Sequence, residues 1–249
     1  MPGAPCFAPS AFIFDGLMRP ARLSRTLHRW LALVLGVQAL LWVVSGFYMV
    51  VVDLDFIHGD PLVRNLTTPP PRVSEWLPFS EVRARHGGIE QIRIKGLPGS
   101  AVPLYELATR NGIVLVDAVT GEQISPLAER RVATLAQQYY AGRGKLERLT
   151  LLVTEAPLEI QGRPLPLWRA DFDDWLATTL YIHPDSGELV TRRHRFWRWF
   201  DVFWMLHIMD YDERTDVNNN LLRIITTVSL ILAASGLWLV YFSFRRVRA

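Results

Sequence analysis

The sequence predicts an α+β membrane protein in which two transmembrane helices flank a soluble domain of two helix-plus-antiparallel-hairpin units. Three observations lead to this prediction. Residues 31–52 are apolar and carry no charge, and a second, largely apolar run covers residues 221–244. Between these runs, a predicted helix followed by three predicted strands occurs twice in the same order.

The first apolar run is long enough to cross a lipid bilayer. At about 1.5 Å of rise per residue, a helix of this length spans a hydrocarbon core of about 30 Å. A lone segment inside lipid satisfies its backbone hydrogen bonds only as a helix. The first eighteen residues lack the basic start, short apolar stretch and cleavage site of a secretory signal. They are predicted as part of a cytoplasmic tail, residues 1–30, the alternative being a start codon assigned too far upstream.

The charges next to the two apolar runs predict how the chain is oriented. Arginines lie just before the first run and just after the second: Arg19, Arg22, Arg25, Arg29, Arg245, Arg246 and Arg248. Acidic residues lie at the opposite ends: Asp53, Asp55, Asp210, Asp212 and Glu213. The positive-inside rule then places both termini, including the basic tail 245–249, in the cytoplasm and residues 53–220 outside.

Residues 53–78 are rich in proline and show little periodicity, so they are predicted as a linker. The soluble domain is predicted to cover residues 79–195. Its first unit, about 79–125, consists of a short helix at 79–86 and three strands, at 89–95, 102–108 and 113–117. The pair Asn111-Gly112 between the last two strands is typical of a tight hairpin turn.

The second unit, about 126–193, repeats this order. An amphipathic helix at 127–140 precedes three strands, at 146–153, 165–172 and 176–182. The closing turn Asp185-Ser186-Gly187-Glu188 is similar to the turn that begins at Asp117 in the first unit. Neither unit could bury its apolar faces well alone, so we expect them to pack together as one domain.

An aromatic helix is predicted at residues 196–210, where it would lie in the outer membrane interface because it is too short and too polar to span. Phe196, Phe200, Phe203 and His207 share one face of this helix. Both spans also carry a stripe of small residues and a Ser-Gly pair. Because small faces let helix backbones approach closely, we expect the spans to pack on each other or on a partner.

The composition excludes several classes of function. The single cysteine, Cys6, rules out an intrachain disulfide and a Cys-rich metal site. The net charge of +3 comes largely from the terminal clusters and does not indicate nucleic-acid binding. No phosphate loop, His-Glu-x-x-His, Gly-x-Ser-x-Gly or nicotinamide fingerprint occurs, so no catalytic residue is assigned. The acidic group Asp171, Asp173 and Asp174 lacks the spacing of a calcium loop and is predicted to form a turn.

Several short motifs together resemble the PepSY-associated transmembrane family. They are Leu27-His28-Arg29-Trp30 before a span with Ser45-Gly46, Leu206-His207 before a span with Ser235-Gly236, and the two turns at Asp117 and Asp185. The resemblance covers about residues 20 to 245. It implies a two-pass protein of the bacterial inner membrane, held in the lipid bilayer, with a periplasmic domain of two PepSY-like units.

Relatives of this kind are linked to siderophore or iron uptake, and some are haem-containing reductases of ferric chelates. Larger members have four spans, whereas this chain has two, so a reductase function would need a homodimer or a larger complex. Electrons would come from quinol or from a partner protein. PepSY units also occur as peptidase-inhibitory modules, which gives a second class of function.

A haem b would need axial imidazoles, and the candidates are His207, His28 and His58. His28 and His207 lie at opposite ends of a span, about 30 Å apart, so they cannot bind one iron within a monomer. On the outer side His58 is the candidate partner of His207, whereas a haem held by His28 would need His28 of a second chain or a partner protein. The alternatives are an interfacial anchor for His28 and a buried histidine bonded to a carbonyl or to Asp210 for His207. His194 is a weaker candidate because it belongs to an arginine cluster.

The sequence thus supports two hypotheses. In the first, the chain is an accessory component of iron, siderophore or haem uptake that binds haem b and passes electrons outward, not an enzyme by itself but a component of a ferric-chelate reductase. In the second, it is a non-enzymatic periplasmic binding module that inhibits a peptidase or senses an envelope ligand.

Overall fold

The computed structural model describes the backbone of residues 12–66, 76–100 and 102–247, and the side chains of residues 29–66, 76–100 and 102–237. The chain divides into two compact bodies. The helical body contains the chain up to Tyr48 and from Phe203 onward, and the sheet body contains Met49–Val202.

The described residues form six α-helices and seven strands. In chain order these are α1 (Phe12–Val51), α2 (Leu54–His58), α3 (Phe79–Arg85), β1 (Ile89–Lys95), β2 (Leu104–Thr109), β3 (Gly112–Asp117), α4 (Glu129–Tyr139), β4 (Leu146–Leu152), β5 (Leu167–Phe172), β6 (Thr179–Ile182), β7 (Leu189–Arg193), α5 (Arg195–Ile208) and α6 (Asn220–Val247). The predicted α+β class, with two long apolar helices and two antiparallel sheets, is confirmed.

Two helices are long and apolar enough to cross a membrane. They contain the stretches Arg29–Val51 in α1, with 23 residues, and Asn220–Leu237 in α6, with 18 residues. Their large apolar side chains face outward, for example Val50, which is 85% exposed, and Leu237, which is 73% exposed. A core helix of a soluble protein would bury such side chains, whereas lipid leaves them in an apolar environment.

The helix α1 begins at Phe12, so helical backbone extends well into the segment predicted as a tail. The expected packing of the two spans on each other is not found at their glycines. A Cβ atom added to Gly36 or Gly236 would meet no atom of the described residues within 4 Å. Gly36 and Gly236 therefore make no close contact with the described residues, and the predicted homodimer or larger complex stays a prediction.

The segment after α1 is folded, which corrects the predicted linker at 53–78 for its first residues. Asp53 caps α2 by accepting a hydrogen bond from the backbone N–H of Phe56 at 2.9 Å. The side chain of Ile57 is fully buried. Gly59 adopts a left-handed conformation with φ of 78° and turns the chain into a short 3₁₀ helix, Asp60–Leu62. Residues 67–75 of the predicted linker lie outside the described residues.

The first sheet has the strand order β1-β2-β3 and is antiparallel throughout. Thr109 pairs with Gly112, so Asn111-Gly112 lies in the predicted hairpin turn. Gly112 has a φ of 126°, which a residue with a Cβ atom rarely adopts. Arg93 on the edge strand pairs with Glu106 at 2.9 Å. The helix and three strands predicted for the first unit are confirmed, with ends shifted by one or two residues.

The second sheet has four strands in the order β4-β5-β6-β7, one more than predicted. The additional strand β7 follows the turn at Gly187 and pairs with β6, with Thr179 opposite Arg193. The prediction missed β7 because its basic residues were taken as a charge cluster instead of one face of a strand. The aromatic segment predicted as an interfacial helix is α5, and its position in an interface stays a prediction.

The two units share one core, as predicted. The buried face of α4 contributes Val132, Leu135 and Ala136. Buried residues from both units belong to the same cluster: Leu97, Leu104, Leu115, Ala170, Phe172, Leu180 and Ile182. The units are also joined by Lys95 on β1, which binds Glu188 at 2.7 Å. The sheet body is therefore one α+β domain.

Candidate functional site

The best-defined histidine contact of the helical body joins α5 to α1. The imidazole Nδ1 of His207 lies 2.8 Å from the hydroxyl of Ser45. Ser45 is only 1% exposed, and its hydroxyl donates to the carbonyl of Leu41 at 2.7 Å. On the same face of α5 as His207, Phe203 packs its ring on Tyr48 with the ring centroids 4.8 Å apart. The prediction that Phe203 and His207 share a face is consistent with these contacts.

The backbone around His207 is fixed as well. The last carbonyls of a helix have no partner within the helix. Here Trp42 Nε1 donates to the carbonyl of His207 at 2.8 Å, and Asn219 Nδ2 donates to the carbonyl of Ile208 at 2.8 Å. Met209 then ends the helix with a positive φ of 55°. The C-terminal turn of α5 is therefore held by α1 and by the residue that precedes α6.

Asp210 is not the partner of His207, which corrects one predicted alternative. The Asp210 carboxylate is buried and accepts hydrogen bonds from the backbone N–H groups of four loop residues: Asp212, Glu213, Thr215 and Asp216. These donors hold the pKa of Asp210 below its usual value because they favour the charged form. Asp210 thus shapes the loop between α5 and α6.

The surroundings of His207 would allow its imidazole to hold a haem. Among the described residues, the hydrogen bond of the His207 ring is made by Nδ1, and none is found at the second ring nitrogen, Nε2. A histidine that binds a metal through one nitrogen usually has the other nitrogen hydrogen-bonded, as Nδ1 is here. Gly46 lies beside the ring, since a Cβ atom at this position would rest 3.8 Å from His207 Cε1. The glycine thus leaves room for about a methyl group beside Cε1, the ring carbon between Nδ1 and Nε2.

In the described part of the chain, no three His, Cys, Asp or Glu side chains are placed to hold a bare metal ion. Haem iron makes a smaller demand, because the porphyrin supplies four ligands and the protein adds one or two. A haem would therefore need only one or two imidazoles from the protein.

The two other predicted ligands stay predictions. His58 ends α2 in the sheet body, where its side chain is exposed and its carbonyl accepts a hydrogen bond from Arg192 Nε at 3.0 Å. The expected pairing of His58 with His207 would join the two bodies, and no contact described above tests it. His28 lies in α1, but its side chain is outside the described part of the structure.

His194 was a weak candidate because of its arginine neighbours, but it is a fully buried core residue. Its Nε2 atom lies 2.8 Å from the carbonyl of Phe56 and 3.1 Å from that of Ile57. Its Nδ1 atom is buried without a hydrogen-bond partner among the described residues. Burial lowers the pKa of His194 because the charged imidazolium would lose its hydration. His194 thus has a structural environment that no local pattern in the sequence reveals.

The acidic group predicted to form a solvated turn begins inside β5, which contains Asp171, and its carboxylates bond within the fold. Asp171 pairs with Arg169 at 2.9 Å, and Asp173 accepts a hydrogen bond from the backbone N–H of Lys145. Asp174 accepts from the hydroxyls of Tyr140, at 2.9 Å, and Thr178, at 2.6 Å. Each carboxylate is therefore already bonded to protein donors, which favours a structural role.

Ser45 and Gly46 were predicted as small residues of a span and as part of the family resemblance, without a contact to His207, and Trp42 had no predicted role. The structure brings all three to the end of α5. The available signal was their spacing, because positions 42, 45 and 46 share one face of a helix. Their common partner lies more than 160 residues away in the chain, so the pattern alone could not identify it.

Comparisons of the chain with models of protein families, with curated proteins and with solved structures find no match. The site is therefore argued from the residues of this chain.

Proposed function

We propose that the chain is a membrane-anchored haem b protein in which Nε2 of His207 binds the iron, and that it acts as an accessory component of iron, siderophore or haem uptake. The observation that carries this proposal is the environment of His207. One ring nitrogen is bonded to a buried serine, and the other has no partner among the described residues. An ionisable side chain beside an apolar span is costly unless it has a function or a partner.

The same proposal includes the location. The chain would be a two-pass protein of the bacterial inner membrane with both termini in the cytoplasm and two PepSY-like units in the periplasm. The length and the outward-facing apolar side chains of α1 and α6 support membrane insertion. One arginine cluster precedes the first apolar run and another follows the second, and these clusters support the orientation.

When bound, haem b would supply reversible one-electron transfer, which the side chains of this protein do not provide. The residues of the chain would bind and orient it. His207 offers Nε2, Ser45 holds the ring through Nδ1, and Trp42 holds the backbone carbonyl. With two spans, one copy would act within a homodimer or a larger complex that receives electrons from quinol or a partner protein.

Haem content in purified variants tests the proposal. We expect His207→Ala to lose haem while it still inserts into the membrane and elutes from size exclusion like the wild type. His86→Ala is the matched control, since His86 makes only a 3.4 Å contact to the carbonyl of Gly121 in the sheet body. Full haem retention in His207→Ala would contradict the assignment. Haem loss in His58→Ala would identify the second axial ligand, and loss in His28→Ala alone would indicate an inner site shared between chains.

A second candidate function is a binding module for a peptidase or an envelope ligand. The observation that favours it is a groove of about 600 Å³ between α3 and β1, with Phe79 and Ile92 in its lining. Phe79 is 52% exposed, and β1 is an edge strand of its sheet. An edge strand beside a groove lined by both polar and apolar side chains suits an extended peptide. Binding of an extended peptide by a haem-free wild-type protein would favour this function.

A further inference from the structure

We propose that Ser45 is a positioning residue that fixes His207 in the Nδ1–H tautomer and so makes Nε2 carry the only lone pair of the ring. The tautomer follows from the contacts of this chain alone. Its consequence for a bound group rests on the proposed haem function.

The hydroxyl of Ser45 has fewer protons than acceptors around it. A serine hydroxyl has one proton to donate and two lone pairs that accept. Three polar atoms surround it: the carbonyl of Leu41 at 2.7 Å, the carbonyl of Trp42 at 3.2 Å and His207 Nδ1 at 2.8 Å. The carbonyl oxygens can only accept, so they compete for the single proton.

The short distance to Leu41 decides where that proton goes. If the hydroxyl donated to His207 Nδ1, the Ser45 and Leu41 oxygens would lie 2.7 Å apart with no proton between their lone pairs. If the hydroxyl donates to Leu41 instead, both close contacts are satisfied, because Nδ1–H can then donate to the Ser45 oxygen. In the neutral ring this leaves the lone pair on Nε2.

The burial of this contact further favours the Nδ1–H tautomer. Ser45 is 1% exposed, so water does not offer an alternative partner at that side of the ring. In a medium of low dielectric constant, a misdirected hydrogen bond costs more than it does in water. The carbonyl of His207 is held by Trp42, three residues before Ser45 on the same face of α1. One helix face thus fixes both the backbone and the ring of His207.

A simple packing role for Ser45 would predict the same distances but no defined tautomer. Nitrogen-15 NMR of the full-length protein in detergent, with labelled histidine, separates the two roles. In the neutral ring, the wild type should show a protonated, pyrrole-type Nδ1 and an unprotonated, pyridine-type Nε2 for His207. The signal is assigned by its absence in His207→Ala.

Three serine variants complete the test. Ser45→Ala should shift His207 towards the Nε2–H tautomer, whereas Ser45→Thr, which keeps the hydroxyl, should restore the wild-type pattern. Ser235→Ala is the matched control, because Ser235 belongs to the Ser-Gly pair of the other span and bonds the carbonyl of Leu232 in its own helix. It should leave the spectrum unchanged. A pyrrole-type Nε2 in the wild type, or an unchanged spectrum in Ser45→Ala, would overturn the proposal.

A titration with hemin distinguishes this proposal from the haem function. Loss of a partner that orients a metal-binding histidine typically weakens metal affinity by about 10–100-fold, and we expect Ser45→Ala to bind hemin weaker by that factor. If the wild type has the Nδ1–H tautomer but does not bind hemin, the positioning role of Ser45 is supported and the haem function is contradicted. If hemin binds the wild type and Ser45→Ala equally and the tautomer is the same in both, the positioning role is overturned and the haem function is retained.

Discussion

Replacement of His194 tests whether a buried histidine anchors the segment that follows the first span. His194 lies between β7 and α5 and is fully buried. Its Nε2–H donates to the carbonyls of Phe56 at 2.8 Å and Ile57 at 3.1 Å, which belong to the last turn of α2. The imidazole therefore caps a short helix that is distant in sequence, and we expect His194→Ala to destabilise the sheet body.

The structure sets the magnitude of this effect. Each neutral hydrogen bond to a carbonyl contributes about 1 kcal/mol net. Removal of a buried side chain also leaves a cavity, and large-to-alanine replacements in a core cost about 2–5 kcal/mol. We therefore expect His194→Ala to lower the free energy of unfolding by about 3–4 kcal/mol. At about 2–4 °C per kcal/mol, Tm should fall by about 6–16 °C.

Thermal unfolding of the full-length protein in detergent, followed by tryptophan fluorescence, measures this shift. His194→Gln keeps a donor for the carbonyl groups and should lose less than His194→Ala, about 1–2 kcal/mol. His86→Ala removes a half-buried histidine of the same body and should change Tm little. A Tm of His194→Ala equal to that of the wild type would refute the anchoring role.

The same residue predicts how stability depends on pH. Burial lowers the pKa of folded His194 below 6.5, its ordinary value, and the nearby charges act in opposite directions, since Arg198 lowers this pKa and Asp174 raises it. Between these two pKa values, His194 therefore binds a proton in the unfolded chain but not in the folded chain. The free energy of unfolding should fall as the pH drops below 6.5, until the pH reaches the lowered pKa of the folded state. His194→Gln should lose this part of the slope, and an identical slope in the variant would contradict the assignment.

Three further predictions follow from other contacts. Glu159, which is 12% exposed, accepts hydrogen bonds from Arg198 and Tyr181 at 2.6 Å each. In thermal unfolding, Glu159→Gln should therefore lower the free energy of unfolding by about 2 kcal/mol. Gly187 has a φ of 67°, and its added Cβ would lie 2.9–3.1 Å from three core leucines, so Gly187→Ala should cost about 2 kcal/mol or more, again seen in Tm. In Gly46→Ala the new Cβ atom would lie at an ordinary distance of 3.8 Å from His207 Cε1, so this variant should retain hemin binding. The larger side chain of Gly46→Leu should weaken it. Equal hemin affinity in both variants would contradict the predicted position of the site.

Local patterns were sufficient for the long helices and for most strands. An uncharged run of apolar residues has one stable form in lipid, and the Asn111-Gly112 pair fixes a hairpin almost by itself. The helix α2 was missed because five residues form no visible period, and its stability comes from the burial of Ile57 and the cap supplied by His194. Such tertiary support leaves no trace in the local sequence.

The candidate site was predicted only in part. His207 was singled out because an ionisable residue on an aromatic face needs a partner, but the partner was sought in Asp210, which is close in sequence. In the structure, the Asp210 carboxylate accepts hydrogen bonds from the backbone of its own loop, and the hydroxyl of Ser45 contacts the imidazole. The hydrogen bond between Ser45 and His207 depends on how distant helices meet, which spacing within one helix does not encode.

An absorbance spectrum of the detergent-purified wild-type protein, air-oxidised and then reduced with dithionite, tests the central claim most directly. Cells supplied with ample haem precursor should yield a protein with a Soret band that shifts on reduction and with sharpened α and β bands. A flat visible spectrum from the same cells would contradict haem binding and would favour the periplasmic binding module.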